Sequence, residues 1–188
     1  MSSNTIILCG MVLSLFLNAI LTTLSAVFSD DLRRIALWQM GSFAMRGWSY
    51  TGMLLPFLLT GTAGIFLYTR EMDLLSFGDD HAKSAGVETE ALRKKLLALC
   101  AVLTGAAVAL SGVIGFVDLI APHAARRIIG SSHRNLIPMS FILGGSLMTL
   151  TDLIARTVIS PSELPVGAIT ALIGAPFFVW VYFRRRKI

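Results

Sequence analysis

The chain has 188 residues, of which 55% are hydrophobic and only 14% charged, with a mean hydropathy of +0.74. A water-soluble domain of this size would have to hide more apolar surface than its core can hold, so composition excludes that class and points to an all-α integral membrane protein. The formal net charge of +5 would suggest nucleic acid in a soluble protein, but most basic residues here flank apolar segments, the pattern of membrane topology.

The first element is the apolar run Ile6 to Phe28, 23 residues interrupted by Asn18 and a few Ser and Thr. At about 1.5 Å per residue it crosses a hydrocarbon core of about 30 Å. No basic stretch precedes it and it outlasts the apolar core of a signal peptide, so it reads as a span. Cys9 and Cys100 lie within apolar runs and have no metal-ligand spacing; they read as small core residues.

Ser29 to Trp48 follows, with Leu32, Ile35 and Ala36 at helical spacing and then Trp38 and Trp48. It predicts a short interfacial helix anchored by its aromatic rings. Tyr50 to Tyr68 is the second span. Met72 to Lys95, MDLLSFGDDHAKSAGVETEALRKK, is the longest polar insertion. Gly78 and Gly86 divide it into two short helical pieces, and Asp79 and Asp80 suit a helix N-terminus, where the dipole favours carboxylates. On spacing alone it also reads as a solvated loop with ordinary caps.

Leu96 to Ala121 is ambiguous, because 26 residues are too many for one upright helix and too few for two. Charge decides. If the chain turns back near Gly112 to Gly115, Arg70, Lys83, Arg93, Lys94, Lys95, Arg126, Arg127, Arg134, Arg184, Arg185, Arg186 and Lys187 share one face. Arg33, Arg34, Arg46 and Arg156 share the other. Twelve against four is a better positive-inside pattern than the six-to-ten division that five spans would give. The expectation is about six spans with both termini cytoplasmic, the last two being Leu136 to Ala155 and Gly167 to Phe183.

The stretch Gly112 to Arg134, GVIGFVDLIAPHAARRIIGSSHR, then becomes a short, glycine-led returning helix. Gly112 and Gly115 let backbone turn and approach closely, which lipid tolerates only where protein surrounds it. Pro122 has no N–H for the carbonyl of Asp118. His123, Arg126 and Arg127 lie toward the cytoplasmic end, where arginines snorkel. His133 and Arg134 fall in a cytoplasmic turn. Further on, Arg156 follows Asp152 by four residues, the spacing of a helical ion pair. Glu163 and Pro165 shape a turn. Gly144, Gly145 and Ser146, and Gly167 with Gly174, offer small faces for helix packing. Pro176 frees the carbonyl of Leu172 and marks a bend.

GVIGFVDLIAPHAARRIIGSSHRNLIP and TDLIARTVISPSELPVGAITALIGAPFFVWV resemble the membrane-spanning permease subunit of the iron-chelate and vitamin B12 uptake family of ABC importers. The family pattern is roughly G-x-I-G-F-[VI]-G-L-x-x-P-H-x-x-R, a D-H-R or similar triplet, D-x-x-A-R, and E-L-P-[VI]-G-x-x-T-A-x-[IL]-G-A-P-x-F. The match runs over almost the whole chain, is most specific through the stretch from Gly112 onward, and covers the family's second part, from about the fifth span onward.

The resemblance implies a permease in a bacterial cytoplasmic membrane that imports an iron chelate such as a siderophore or haem, or a related chelate such as cobalamin. It further implies cytoplasmic ATP-hydrolysing subunits, a periplasmic or surface substrate-binding protein, a second permease chain as homodimer or complementing half, and surrounding lipid. No nucleic acid, cofactor, metal or catalytic residue is expected. Gly78, Asp79, Asp80, His81, Ala82 and Gly86 become the region that couples to the ATPase, and the outer segment around Ser29 to Trp48 lines the mouth of the pathway. Arg156, in the D-x-x-A-R position, becomes a docking charge for the binding protein. Gly112, Gly115, Phe116, Asp118, Pro122, His123, Arg126, His133, Arg134, Pro165, Gly167, Gly174 and Pro176 become motif or gating positions. Asp118 departs from the family's glycine, and an ionised carboxyl there needs water or a cation.

Three alternatives stand beside this reading: an inactive fragment of such a permease, one half of a split one, or a small membrane protein with an assembly role. An aspartyl protease built on Asp118 and Asp152 lacks the expected Gly-x-Gly-Asp setting. Asp118, His123 and His133 match no recognised metal spacing. There is no Walker sequence, so ATP hydrolysis falls to a partner.

Overall fold

The computed structural model describes residues 3–28, 32–44, 47–160 and 162–185. Those residues form helices α1 (Ser3–Val27), α2 (Leu32–Gln39), α3 (Trp48–Leu67), α4 (Thr69–Ser76), α5 (Asp79–Ser84), α6 (Thr89–Ser111), α7 (Val117–Ile129), α8 (His133–Thr157) and α9 (Val166–Arg185). Arg46, Arg186 and Lys187, which entered the charge argument, lie outside the described residues, as do Ser29 to Asp31.

The chain divides into two units, 1–39 and 40–188. In the first, α1 is apolar on all sides, with Ile7, Leu15 and Phe16 all exposed, as a helix bathed in hydrocarbon is. Its polar side chains turn back on the helix: the Thr22 and Ser25 hydroxyls each donate to the carbonyl four residues earlier at 2.8 Å, which removes them from lipid. Leu21, Leu24 and Phe28 of the α1 end face Ile35 and Trp38 of α2 across a shallow apolar recess. The expected interfacial helix is therefore present but ends at Gln39, and Trp48 instead opens α3.

In the second unit α3, α6 and α8 are each long and apolar enough to cross a membrane, as is α1 in the first. Helix α9 is apolar through Val179, and α7 has 13 residues, about 20 Å of helix. The protein is an all-α polytopic membrane protein, and each expected span has a helix. Two boundaries differ. Helix α6 begins at Thr89, so Arg93, Lys94 and Lys95 belong to its first turns and not to the polar insertion; a span that emerges from lipid carries its charges on the same helix. His133 and Arg134 open α8 and are not loop residues.

Small residues set the helix pairs. A Cβ on Gly61 would sit 2.5 Å from Leu103 Cγ and one on Gly64 3.0 Å from Leu99 Cδ2, so α3 and α6 approach along a glycine face that larger residues would hold apart. Buried Ala121 and Ala125 give α7 its own small face. Ala121 meets Gly144 of α8 at ordinary contact distance. Gly145 has nothing within reach, so only part of the expected glycine pair serves packing.

At one end of this unit three loops are stitched together. Ser42 N–H donates to the Ser111 carbonyl at 2.9 Å, Val166 N–H to Gly41 at 3.0 Å, and Leu164 N–H to Ala155 at 3.0 Å. Beneath them Ala155, Val166 and Ile169 form a buried core with Phe43, Ile114, Met148 and Leu164 packed on it. Gly167 is obligatory there, because a Cβ would strike the Met40 carbonyl oxygen and lie 2.9 Å from that of Val113. At the opposite end α4, α5 and the starts of α6 and α8 come together, burying Thr69, Ala82, Thr89, Leu92 and Leu136.

Candidate functional site

The residues of interest fall at these two ends and on α7 between them. The α4–α5 region is a pair of short helices separated at Gly78, whose φ of 112° only glycine adopts readily. Asp79 and Asp80 occupy the first turn of α5, as their spacing predicts. Asp79 also forms an ion pair with Arg93 of α6. Helix α5 ends in a Schellman motif: Gly86, at φ 82°, donates to Lys83 O at 2.9 Å, and Val87 to Ala82 O at 3.0 Å. Ala82 is fully buried while His81 is exposed. Helix α5 is thus fixed to α6 by one face, α4 packs on α8, and the other side of the pair is open. On that open side Phe77 is 75% exposed, beside a recess lined by Leu74, His81, Ser84 and Ala85.

A second cleft, of about 450 Å³, lies between α4 and the start of α6, lined by Arg70, Glu71, Gly86, Glu88 and Lys95 among others. The Lys95 ammonium stands 5.7 Å from the centre of the Tyr68 ring, within range of a cation–π contact.

Asp73 of α4 reaches the start of α8. Its Oδ1 accepts the His133 backbone N–H at 2.8 Å and lies 2.5 Å from His133 Nδ1, and its Oδ2 accepts the Ser132 hydroxyl at 3.1 Å. Desolvation pushes the Asp73 carboxyl up, but the bonds from the His133 backbone, the His133 ring and Ser132, with the charge of His133, outweigh it and leave the pKa lowered. Ser132 is the N-cap of α8 but makes no capping bond of its own. The carboxylate of another helix takes that place.

Helix α7 is reached through a tight turn. Gly112 closes α6 at φ 78°, its N–H donating to Val108 O at 2.8 Å. Gly115 was expected to give the chain its second freedom, but a Cβ on it would meet nothing. The left-handed residue is instead Phe116, at φ 67°, a costly conformation for a bulky side chain. Packing holds it: the space a Cβ on Gly174 would need is filled by the Phe116 side chain, and the ring stands 6.4 Å from Phe178. His123 meets Phe177 edge-on at 6.2 Å. The helix continues through Pro122, as α9 does through Pro176. Asp118 is exposed in the first turn of α7, and Arg126 and Arg127 are exposed in its last. Both placements suit the helix dipole. Among the described residues no three His, Cys, Asp or Glu gather as metal ligands.

At the stitched end Arg156 Nε donates to Asp152 Oδ2 at 2.9 Å, with 46% of the arginine side chain exposed. The i,i+4 pair predicted from spacing is present and leaves the guanidinium accessible. Pro165 is half-buried, and its carbonyl accepts from Ala168 at 3.1 Å, so it opens α9.

Residues 1–184 match the family model described as the FecCD transport family. The chain belongs to the FecCD transport family. Its relatives include an uncharacterized ABC transporter permease protein, YvrB, of Bacillus subtilis, 43% identical over 100% of this chain and 53% of the relative. Another is the hemin transport system permease protein HmuU of Yersinia pestis, 38% identical over 97% of this chain and 55% of the relative. A solved structure described as an inward-facing conformation of a metal-chelate type ABC transporter superposes with a TM-score of 0.91 at 34% identity, over 97% of this chain and 60% of that one. This FecCD chain spans about half the length of the curated relatives it matches. The family is one of transport permeases, in agreement with the resemblance carried by the sequence motifs.

Sequence reasoning singled out neither Asp73 nor Gly41. Gly41 has a readable signal, a glycine flanking a span, and sits at φ 68° against the Val113 carbonyl. Asp73 pairs with a residue 60 positions away, for which no local signal exists.

Proposed function

We propose that this FecCD chain is the membrane-spanning permease component of an ATP-binding-cassette importer that moves an iron chelate, such as a siderophore or haem, or cobalamin into the cytoplasm. The observation that carries the reading is the family match over 1–184 joined to a pair of short helices open on one face beside the exposed Phe77.

In this reading α4 and α5 are the coupling region. Gly78 and Gly86 allow their turns, Asp79 anchors α5 to α6, Ala82 seats it, and Asp80, His81 and Phe77 face the ATP-hydrolysing subunits. Arg156 faces the binding protein outside, aimed by Asp152. Both termini are cytoplasmic, because the basic residues of α4, α5, the α6 start and the α7 end then share the cytoplasmic face. The Phe116 turn and the Pro122 helix are packed elements that reorient as the pathway opens to one side and then the other. A second permease chain completes the pathway, and lipid covers exposed residues such as Phe141.

The chain supplies no chemistry; ATP hydrolysis belongs to the partner. Uptake of haemin, ferric citrate and cyanocobalamin into proteoliposomes carrying the assembled complex tests the reading. ATP-dependent uptake of one of them is expected, and uptake of none by a complex that binds its ATPase would contradict it.

A further inference from the structure

We infer that Asp73 is a positioning residue for transport: it ties the coupling helix α4 to the first turn of α8, so that displacement of the coupling region is delivered to α8. The inference rests on the permease reading above and adds a route for the motion.

Both Asp73 carboxylate oxygens are engaged with the start of α8, by a backbone N–H, an imidazole nitrogen and a hydroxyl. Apolar contact between helices is non-directional and permits sliding. Three polar contacts to one carboxylate fix distance and angle together. The carboxylate also sits where the partial positive charge of α8 is greatest.

What α8 does with the displacement follows from its length. Its 25 residues extend about 37 Å, from the Asp73 contact to Ala155, which is 2% exposed in the core with Val166 and Ile169. Asp152 and Arg156 lie on its last turns. One helix thus joins the coupling end of the unit to the end that carries the proposed docking charge. Pro138, in the second turn of α8, has no N–H for the Arg134 carbonyl. The first turn is therefore held less firmly by the helix itself, and Asp73 supplies what the helix lacks.

A cap that served stability alone would be replaceable without loss of concerted motion, and that separates the two roles. Spin labels at Ser76→Cys on α4 and Asn135→Cys on α8, both exposed positions, report the α4–α8 distance in a Cys9→Ser, Cys100→Ser background. A second pair, Leu67→Cys with Asn135→Cys, reports α8 against α3. In the assembled importer, ATP binding is expected to change the 67–135 distance while leaving the 76–135 distribution narrow and in place. With Asp73→Ala, which removes all three contacts, the 76–135 distribution should broaden even without nucleotide, and uptake per ATP hydrolysed should fall by at least about tenfold, the scale of a single lost charged hydrogen bond. His133→Gln, which keeps the backbone contact, should give an intermediate loss and serves if Asp73→Ala does not fold.

A narrow, unchanged 76–135 distribution in these variants would overturn the inference, as would a 67–135 distance indifferent to ATP in the unaltered chain. Failure of the unaltered chain to bind an ATPase would instead count against the permease reading, and is seen before any Asp73 variant is made.

Discussion

Asp73 Oδ1 accepts the backbone N–H of His133 at 2.8 Å, so a carboxylate on α4 caps a helix that begins 60 residues later. Loss of such a cap costs about 1 kcal/mol. Asp73→Asn, which retains an acceptor but not the charge, should lower the thermal unfolding midpoint in detergent. An unchanged midpoint would deny the cap an energetic role.

The same contact predicts a pH dependence with a definite sign. The folded pKa of Asp73 lies below its ordinary value of 3.8. Its contribution to stability is therefore complete above the unfolded value and is lost as pH falls through the folded one. The stability difference between the parent and Asp73→Asn should be present in full at about pH 5 and shrink as pH falls below about 4. A difference that grows as pH falls below about 4 would reverse the assignment.

Phe116 and Gly174 form a matched pair, since the phenylalanine occupies the space a Gly174 side chain would need. Gly174→Ala should destabilise by about 1–3 kcal/mol through overpacking. In a Phe116→Gly background, where the positive φ is also relieved, the same substitution should cost less. Denaturation of the four proteins gives the coupling energy, and simple additivity would refute the pairing.

Arg156 is aimed by Asp152 at 2.9 Å and remains 46% exposed. Arg156→Glu should weaken binding of the substrate-binding protein while the ATPase subunits stay attached. Asp152→Asn should weaken docking less. Unchanged docking in Arg156→Glu, measured by surface plasmon resonance on the complex in nanodiscs, would remove the arginine from that interface.

Most of the fold was legible because membrane spans announce themselves. The runs over α1, α3 and α8 are apolar for the length of a bilayer, that over α9 is apolar over a shorter stretch, and the charge asymmetry located the return between α6 and α7. Local signals also placed α5, through Gly78, Asp79 and Gly86. What was hidden has physical causes. The start of α6 was obscured because Arg93 to Lys95 read as loop although a helix carries its charges beyond the lipid. The turn was expected to rest on Gly112 and Gly115; Gly112 has the positive φ, but the second such residue is Phe116, whose side chain packs on Gly174. The Asp73–His133 contact depends on where α4 and α8 end up, which no spacing encodes. Asp118, expected to need water or a cation if ionised, stands in the first turn of α7, where the helix dipole favours a carboxylate.

The central claim is that this chain works as an importer's permease, and co-purification tests it most directly. The tagged chain, expressed with its neighbouring genes and extracted in mild detergent, should bring down an ATP-hydrolysing subunit, and Phe77→Asp should reduce that recovery. A folded, abundant chain that recovers no ATPase would contradict the account.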